Sequence, residues 1–299
     1  MEKQKENTTS IGEISNKEGY FTSKGSIVHI DSDYVYILHQ GEGLKQEIEI
    51  FKKDTMQAIK KIDLREQNFS ALDSNDIHIA IVYRKGITEI WDKATWNLLQ
   101  NFTYNTNGIE VMMNDDMLLV SIYGQQSAVY TYNKEEKNWK CLGYPQLHTS
   151  PFQSVFYHNN LVYTGAMYEE ILISSIKPNG FKKIEFIDTC GRYVDCIKVD
   201  DDYIYHHCEG FMGVYDKTKK EISDDFEDYY SGNFDIDERY LYYSIDKGIV
   251  IREKKSWNII YKIDTENKQA NDVFVDDNSL FFDDNEGNFH QIPKIELQV

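Results

Sequence analysis

Three of the four cysteines fall within one stretch, "TCGRYVDCIKVDDDYIYHHC", residues 189–208, together with His206 and His207. Cys and His are zinc-ligand types. Folding this stretch as a hairpin about Asp201 sets Cys196 opposite His206, and Cys208 then shares a face with His206. Cys190 lies upstream near the same end, so Cys190, Cys196, His206 and Cys208 are the four groups that could close around a metal. Against this, no CxxC spacing occurs, and a rigid strand pair rarely supplies a tetrahedral cage. Free cysteine is also among the most frequently buried residue types. The expectation is core packing, with no metal and no cofactor.

Other chemistry is weaker. "DDNEGN", residues 283–288, superficially resembles a calcium loop but lacks the distant Glu, and it falls where a hairpin turn is needed. No G-x-S-x-G elbow, H-E-x-x-H pair or P-loop is present. Carboxylates are so plentiful that no pair of them singles itself out. The eight histidines (His29, His39, His78, His148, His158, His206, His207 and His290) are scattered without metal-ligand spacing. The chain is expected not to be an enzyme.

Composition narrows the partners. The 299 residues carry 32 Lys and Arg against 50 Asp and Glu, a formal net charge of −18, which repels a phosphate backbone. Nucleic acid is therefore excluded as an expected partner. "MEKQKENTTS" at the start has no apolar h-region, and no run of about 18 apolar residues occurs, so neither a secretory signal nor a membrane helix is expected. Four unevenly placed cysteines suggest a reducing compartment, and the expected location is cytoplasmic. The 22 Tyr and 15 Phe suit strands packed on both faces.

The elements that would position such residues repeat. Segments resembling "EIWDK" recur, and the residues standing where Trp91 stands are Phe51, Trp91, Tyr132, Ile176, Tyr215, Arg252 and Ile292. A second series of acidic or Asn-rich turns precedes apolar runs, as in "DSDYVYIL", "NDDMLLVS" and "DDDYIYHH". Both series count seven units of about 40 residues, each reading as four short strands, a to d. Helical periodicity is absent. Radial repetition of four-stranded sheets is the β-propeller architecture.

"ITEIWDKATWNLLQNF", residues 87–102, resembles the third strand, turn and fourth strand of a WD repeat, and the resemblance extends over residues 24–299. Only Trp91–Asp92 matches the defining dipeptide, and the Gly-His pair of that family is missing from every unit. The resemblance implies an all-β, seven-bladed propeller that serves as a non-catalytic protein-interaction scaffold, a subunit of a larger assembly. The alternative is a propeller binding a small molecule or carbohydrate, with or without hydrolase activity.

The expected organisation is a flexible tail at 1–8 and one domain at 9–299. Its blades are 24–66, 67–105, 106–147, 148–188, 189–227, 228–266, and 267–299 plus 9–15. Residues 9–15, "TSIGEIS", are expected to supply the missing outer strand of the last blade and so close the ring. Acidic a–b turns and basic c–d turns share one face and read as a mutually neutralising rim. The opposite face, built from b–c and d–a connections, carries Arg65, Arg84, Tyr123, His148, Tyr168, Arg192, Tyr229 and Tyr230. Tyr, Arg and His on irregular loops are a recognition composition, so these eight are the candidate partner contacts. The chain is expected to be monomeric on its own.

Overall fold

The computed structural model describes residues 7–15, 20–40, 45–64, 68–123, 126–150, 152–166, 170–177, 180–189, 193–208, 211–226, 232–266 and 268–294. They form seven antiparallel four-stranded blades in a ring. Blade 2 shows the pattern, with strands Phe69–Ser74, His78–Tyr83, Ile87–Asp92 and Leu98–Thr103 running from the centre outwards. Its strand b, HIAIVY, is buried at every position, because neighbouring blades cover both faces. Strand d alternates half-buried and exposed, as an outermost strand should. Burial of each large apolar side chain contributes about 1.5–3 kcal/mol, and the clusters that collect it lie between adjacent blades. One such cluster joins Ala80, Val82 and Ile90 of blade 2 to Val111, Leu118 and Val120 of blade 3.

The ring closes through the N-terminal segment, but not where expected. Phe21–Lys24, not residues 9–15, pairs with Asn288–Gln291 as the outer strand of blade 7. Phe21 sets its ring 5.5 Å from Phe289 and 6.1 Å from Phe51, joining the last blade to the first. Gly25, at φ +116°, then turns the chain directly into strand a of blade 1, Ser26–Ile30. Residues Asn7–Ser10 instead add a fifth, parallel strand to the outer edge of blade 6. Ser10 and Glu13 then cap each other reciprocally and start the short helix Ile11–Ile14.

Six of the seven a–b turns share one device, blade 4 using left-handed Asn159 and Asn160 after His158 instead. Asp31, Asn75, Asn114, Asp200, Asp237 and Asp276 each accept, through Oδ1, the backbone N–H groups two and three residues on. The second carboxylate oxygen then does a different job. Lys93 of blade 2 donates to Asp31 of blade 1 at 2.7 Å, Lys254 of blade 6 to Asp200 of blade 5 at 2.7 Å, and Lys294 of blade 7 to Asp237 of blade 6 at 2.7 Å. Lys53 of blade 1 reaches Asp276 of blade 7 at 3.0 Å, across the seam. At three of these joints a tyrosine completes the set, Tyr36, Tyr205 and Tyr242 each donating to its blade's aspartate. The acidic and basic turns are thus joints between blades, not a loose rim. Where Asn75 replaces the aspartate, aromatic packing takes over: the His78 ring lies 4.8 Å from Tyr132 of the next blade.

Candidate functional site

On the b–c and d–a face, Arg84 and Tyr123 are placed as expected. Arg84 is exposed, its backbone tied to Asn68, and Tyr123 follows strand b of blade 3 (Met117–Ile122) with 62% of its surface open. His148 is not a contact: it is buried, and its Nε2 lies 2.8 Å from Thr164 Oγ1 and 3.1 Å from the Thr164 carbonyl. A residue in a d–a connection must bring its side chain inward wherever the link dives under the next blade, and His148 does so at the entrance to blade 4. Arg65, Tyr168, Arg192, Tyr229 and Tyr230 lie outside the described residues. One residue joins the face that residue type alone did not single out: Tyr144, 55% exposed just beyond the outer strand of blade 3 (Asn138–Gly143). Tyr144 opens the irregular "YPQLHTSPF" loop, the signal that marks it.

The centre of the ring mixes charged and apolar groups. Two residues before the first position of each a–b turn, strand a carries His29, Asp73, Met112, Phe156, Lys198, Asp235 and Phe274 in blades 1 to 7. Most of these, with Glu110, Ser154, Cys196 and Asn233 below them, line a cavity of about 370 Å³. Lys198 pairs with Asp235 at 3.0 Å and lies over the Phe156 ring at 5.7 Å. His29 Nε2 is 3.1 Å from Ser74 Oγ and 3.6 Å from Asp73. Ser74 in turn donates to Asp31, so the channel and the joint between blades 1 and 2 share one hydrogen-bond chain.

Burial decides the protonation of these groups. It raises the Asp73 carboxyl against the pull of His29, and it pushes Glu110 up to about 8. It drives the His29 imidazole down and the Cys196 thiol up to about 12, so that thiol is no nucleophile. Burial also disfavours the Lys198 ammonium, but Asp235 beside it, together with Cys196 and Asp73, outweighs that and the net shift is upward. Asp272 accepts from the Asn233 backbone, and its own N–H donates to Asp283, whose carboxyl burial and the neighbouring Asp272 raise to about 7.

The hairpin in blade 5 has a different register from the one expected. Cys196 pairs with His207, and Ile197 with His206. Cys196 therefore faces the channel, while His206 and Cys208 turn to the opposite side of the sheet, with His206 Nδ1 3.1 Å from Cys208 Sγ. Among the described residues no three His, Cys, Asp or Glu side chains converge as a metal cage. Cys190 lies outside the described residues. No described helix is long and apolar enough to cross a membrane.

No family model matches the chain, and no curated protein is similar to it in sequence. The fold itself is common, with 1562 solved chains resembling it, so architecture alone does not narrow function. One of them is the crystal structure of the computationally designed Ika8 protein, 12% identical, matching over 91% of this chain and 97% of that one with a TM-score of 0.66.

Proposed function

We propose that this propeller is a non-catalytic docking platform, a subunit of a larger assembly, that engages a protein partner through the b–c and d–a face of blades 2 and 3. The observation that carries this reading is the pair Tyr123 and Tyr144, large aromatics more than half exposed on one face. Tyr and Arg anchors dominate recognition energetics, and Arg84 is exposed in the b–c turn of the neighbouring blade. The opposite face offers less, because its turn charges are engaged in the joints between blades. The resemblance of residues 87–102 to a WD repeat supports the same reading.

The test is co-purification from native cells at low salt. A stoichiometric partner should be retained by the parent chain and lost by Tyr123→Ala/Tyr144→Ala at unchanged melting temperature. Retention by that variant refutes the assignment. A second reading, a small-molecule site in the channel, is favoured by the cavity with Asp73, Glu110 and Lys198 on its wall. That reading requires a ligand to remain bound in native mass spectrometry and to be lost in Glu110→Gln.

A further inference from the structure

The outer strand of blade 4, Gly180–Ile187, is the outermost strand of its sheet. It presents two large apolar side chains to solvent, Ile184 at 53% and Phe186 at 51%. An exposed apolar edge is a template for another strand. The molecule already uses one edge this way, since Asn7–Ser10 adds to the outer strand of blade 6.

The order of side chains along this edge is self-complementary. Strand d pairs with strand c, Ile171–Lys177, through Phe181 to Ile176, Lys182 to Ser175 and Lys183 to Ser174, then Glu185 to Ile173 and Phe186 to Leu172. Ile184 is the extra residue of a bulge at the register shift. Because of that bulge Phe181, Lys183 and Phe186 share one face of the blade, and Lys182 and Glu185 share the other. An unbroken alternation would put the two phenylalanines on opposite faces.

We propose that two copies of this chain pair antiparallel along this edge, about a two-fold axis between Lys183 and Ile184. That register sets Phe181 opposite Phe186 of the second copy, and Lys182 opposite Glu185 of the second copy, each contact occurring twice. Directly paired residues point to the same face, so aromatic meets aromatic and lysine meets glutamate. The present partner of Glu185 is Lys220 at 3.1 Å, an exposed bridge of small worth that can be exchanged. Lys183 does not block the approach, as its Nζ lies over the Phe186 ring at 5.8 Å. The outer strand of blade 5, Glu221–Phe226, lacks this complementarity, because end-to-end self-pairing of EISDDF would set Glu221 against Phe226 and Ile222 against Asp225.

Sedimentation equilibrium across a concentration series tests this. The parent chain should show a monomer–dimer equilibrium. Lys182→Glu and Glu185→Lys alone should each weaken it by about tenfold or more, through like charges placed face to face. An equimolar mixture of the two single variants should recover the dimer as a heterodimer, and so should the double variant Lys182→Glu/Glu185→Lys. Ile184→Lys/Phe186→Asp should be monomeric, and all these exposed substitutions should leave the melting temperature unchanged. A parent chain that stays monomeric throughout, or a mixture that fails to recover the dimer, overturns the proposal. Capture of a partner through Tyr123 and Tyr144 is on another surface and should survive every one of these substitutions.

Discussion

Lys93 leaves blade 2 and ends with its ammonium 2.7 Å from Asp31 of blade 1, both side chains at least nine-tenths buried. The same ammonium donates to the Asn75 carbonyl of its own blade at 2.9 Å and sits over the Tyr34 ring at 5.2 Å. One side chain therefore binds the turn of its own blade to that of its neighbour. The repetition of this contact at three further joints makes it a structural rule of this propeller.

Lys93→Met should cost about 3–5 kcal/mol, the effect of leaving a buried carboxylate without its partner. Burial raises the Asp31 carboxyl, but the bonds from Lys93 and Tyr36 outweigh it and hold the group below its usual range. Its contribution is then fully present above about pH 4 and is lost as pH falls through the folded value. Urea titration of the variant should show both the loss at pH 7 and a weaker dependence on acid. Lys134→Met should leave the midpoint unchanged, since its bridge to Asp116 is exposed on both sides. Equal effects of the two substitutions would remove the joint from the account of stability.

Truncation separates the two roles of the N-terminal segment. Removing residues through 19 takes away the added strand of blade 6 and the buried Ile11, yet leaves Phe21–Lys24 in place. Removing residues through 24 opens blade 7 and strips Phe21 from Phe51 and Phe289. The longer truncation should lower the thermal midpoint far more than the shorter one. Calorimetry showing equal losses would place the closure in Asn7–Ser10 after all.

Two glycines in b–c turns offer a controlled comparison. Gly86 and Gly287 have nearly the same left-handed φ, +75° and +71°. A Cβ on Gly86 would stand 2.1 Å from the Thr106 carbonyl oxygen, whereas one on Gly287 meets nothing within 4 Å. Gly287→Ala should therefore cost about 1–2 kcal/mol for the left-handed backbone alone, and Gly86→Ala clearly more, because backbone must move. Similar midpoints in chemical denaturation would mean that the d–a link of blade 2 shifts freely.

Much of this fold was legible in the residues, and the exceptions have physical causes. Six of the seven turns are legible because Asp or Asn at the first position accepts the hydrogen bonds the turn needs, and the seventh because Asn159 and Asn160 take the left-handed backbone of a tight hairpin. The Trp91-equivalent marks hold for Phe51, Tyr215, Arg252 and Ile292, but in blades 3 and 4 the paired positions are Tyr130 and Ser174. The slip is two residues in both cases, which keeps the face and hides the error in any periodic pattern. A slip of one residue in blade 5 did not hide, and it separated Cys196 from His206. The closing strand is misplaced because counting strands says that one must come from the start of the chain but not which segment, although Ser10 and Glu13 at helix-capping spacing, with Ile11 and Ile14 three apart, mark a helix there. The channel residues escaped notice because no local pattern marks them; only the shared offset of two before each turn does.

Glu110 gives the channel a signature in pH. Burial, aided by the charge of Asp73, pushes its carboxyl up to about 8, against about 4.3 in an unfolded chain. Over that interval the folded state holds the proton that the unfolded state releases, so stability falls as pH rises and levels off above the folded value. His206 and His207, pulled down to about 4 by burial, act in the opposite sense and lose stability as pH falls below about 6.5. Asp283, raised to about 7, has the sign of Glu110 and is half-titrated at pH 7, so only the tail of its titration falls above that point. Between pH 7 and 8 Glu110 therefore carries the larger change and Asp283 the smaller, and one group is worth at most about 1.4 kcal/mol per pH unit. The parent chain should therefore lose stability across that window, while Glu110→Gln should lose clearly less and gain on the parent as pH rises. Parallel stability curves for the two proteins would mean that the Glu110 carboxyl is already ionised at neutral pH, with water in the channel supplying the solvation that the fold withholds.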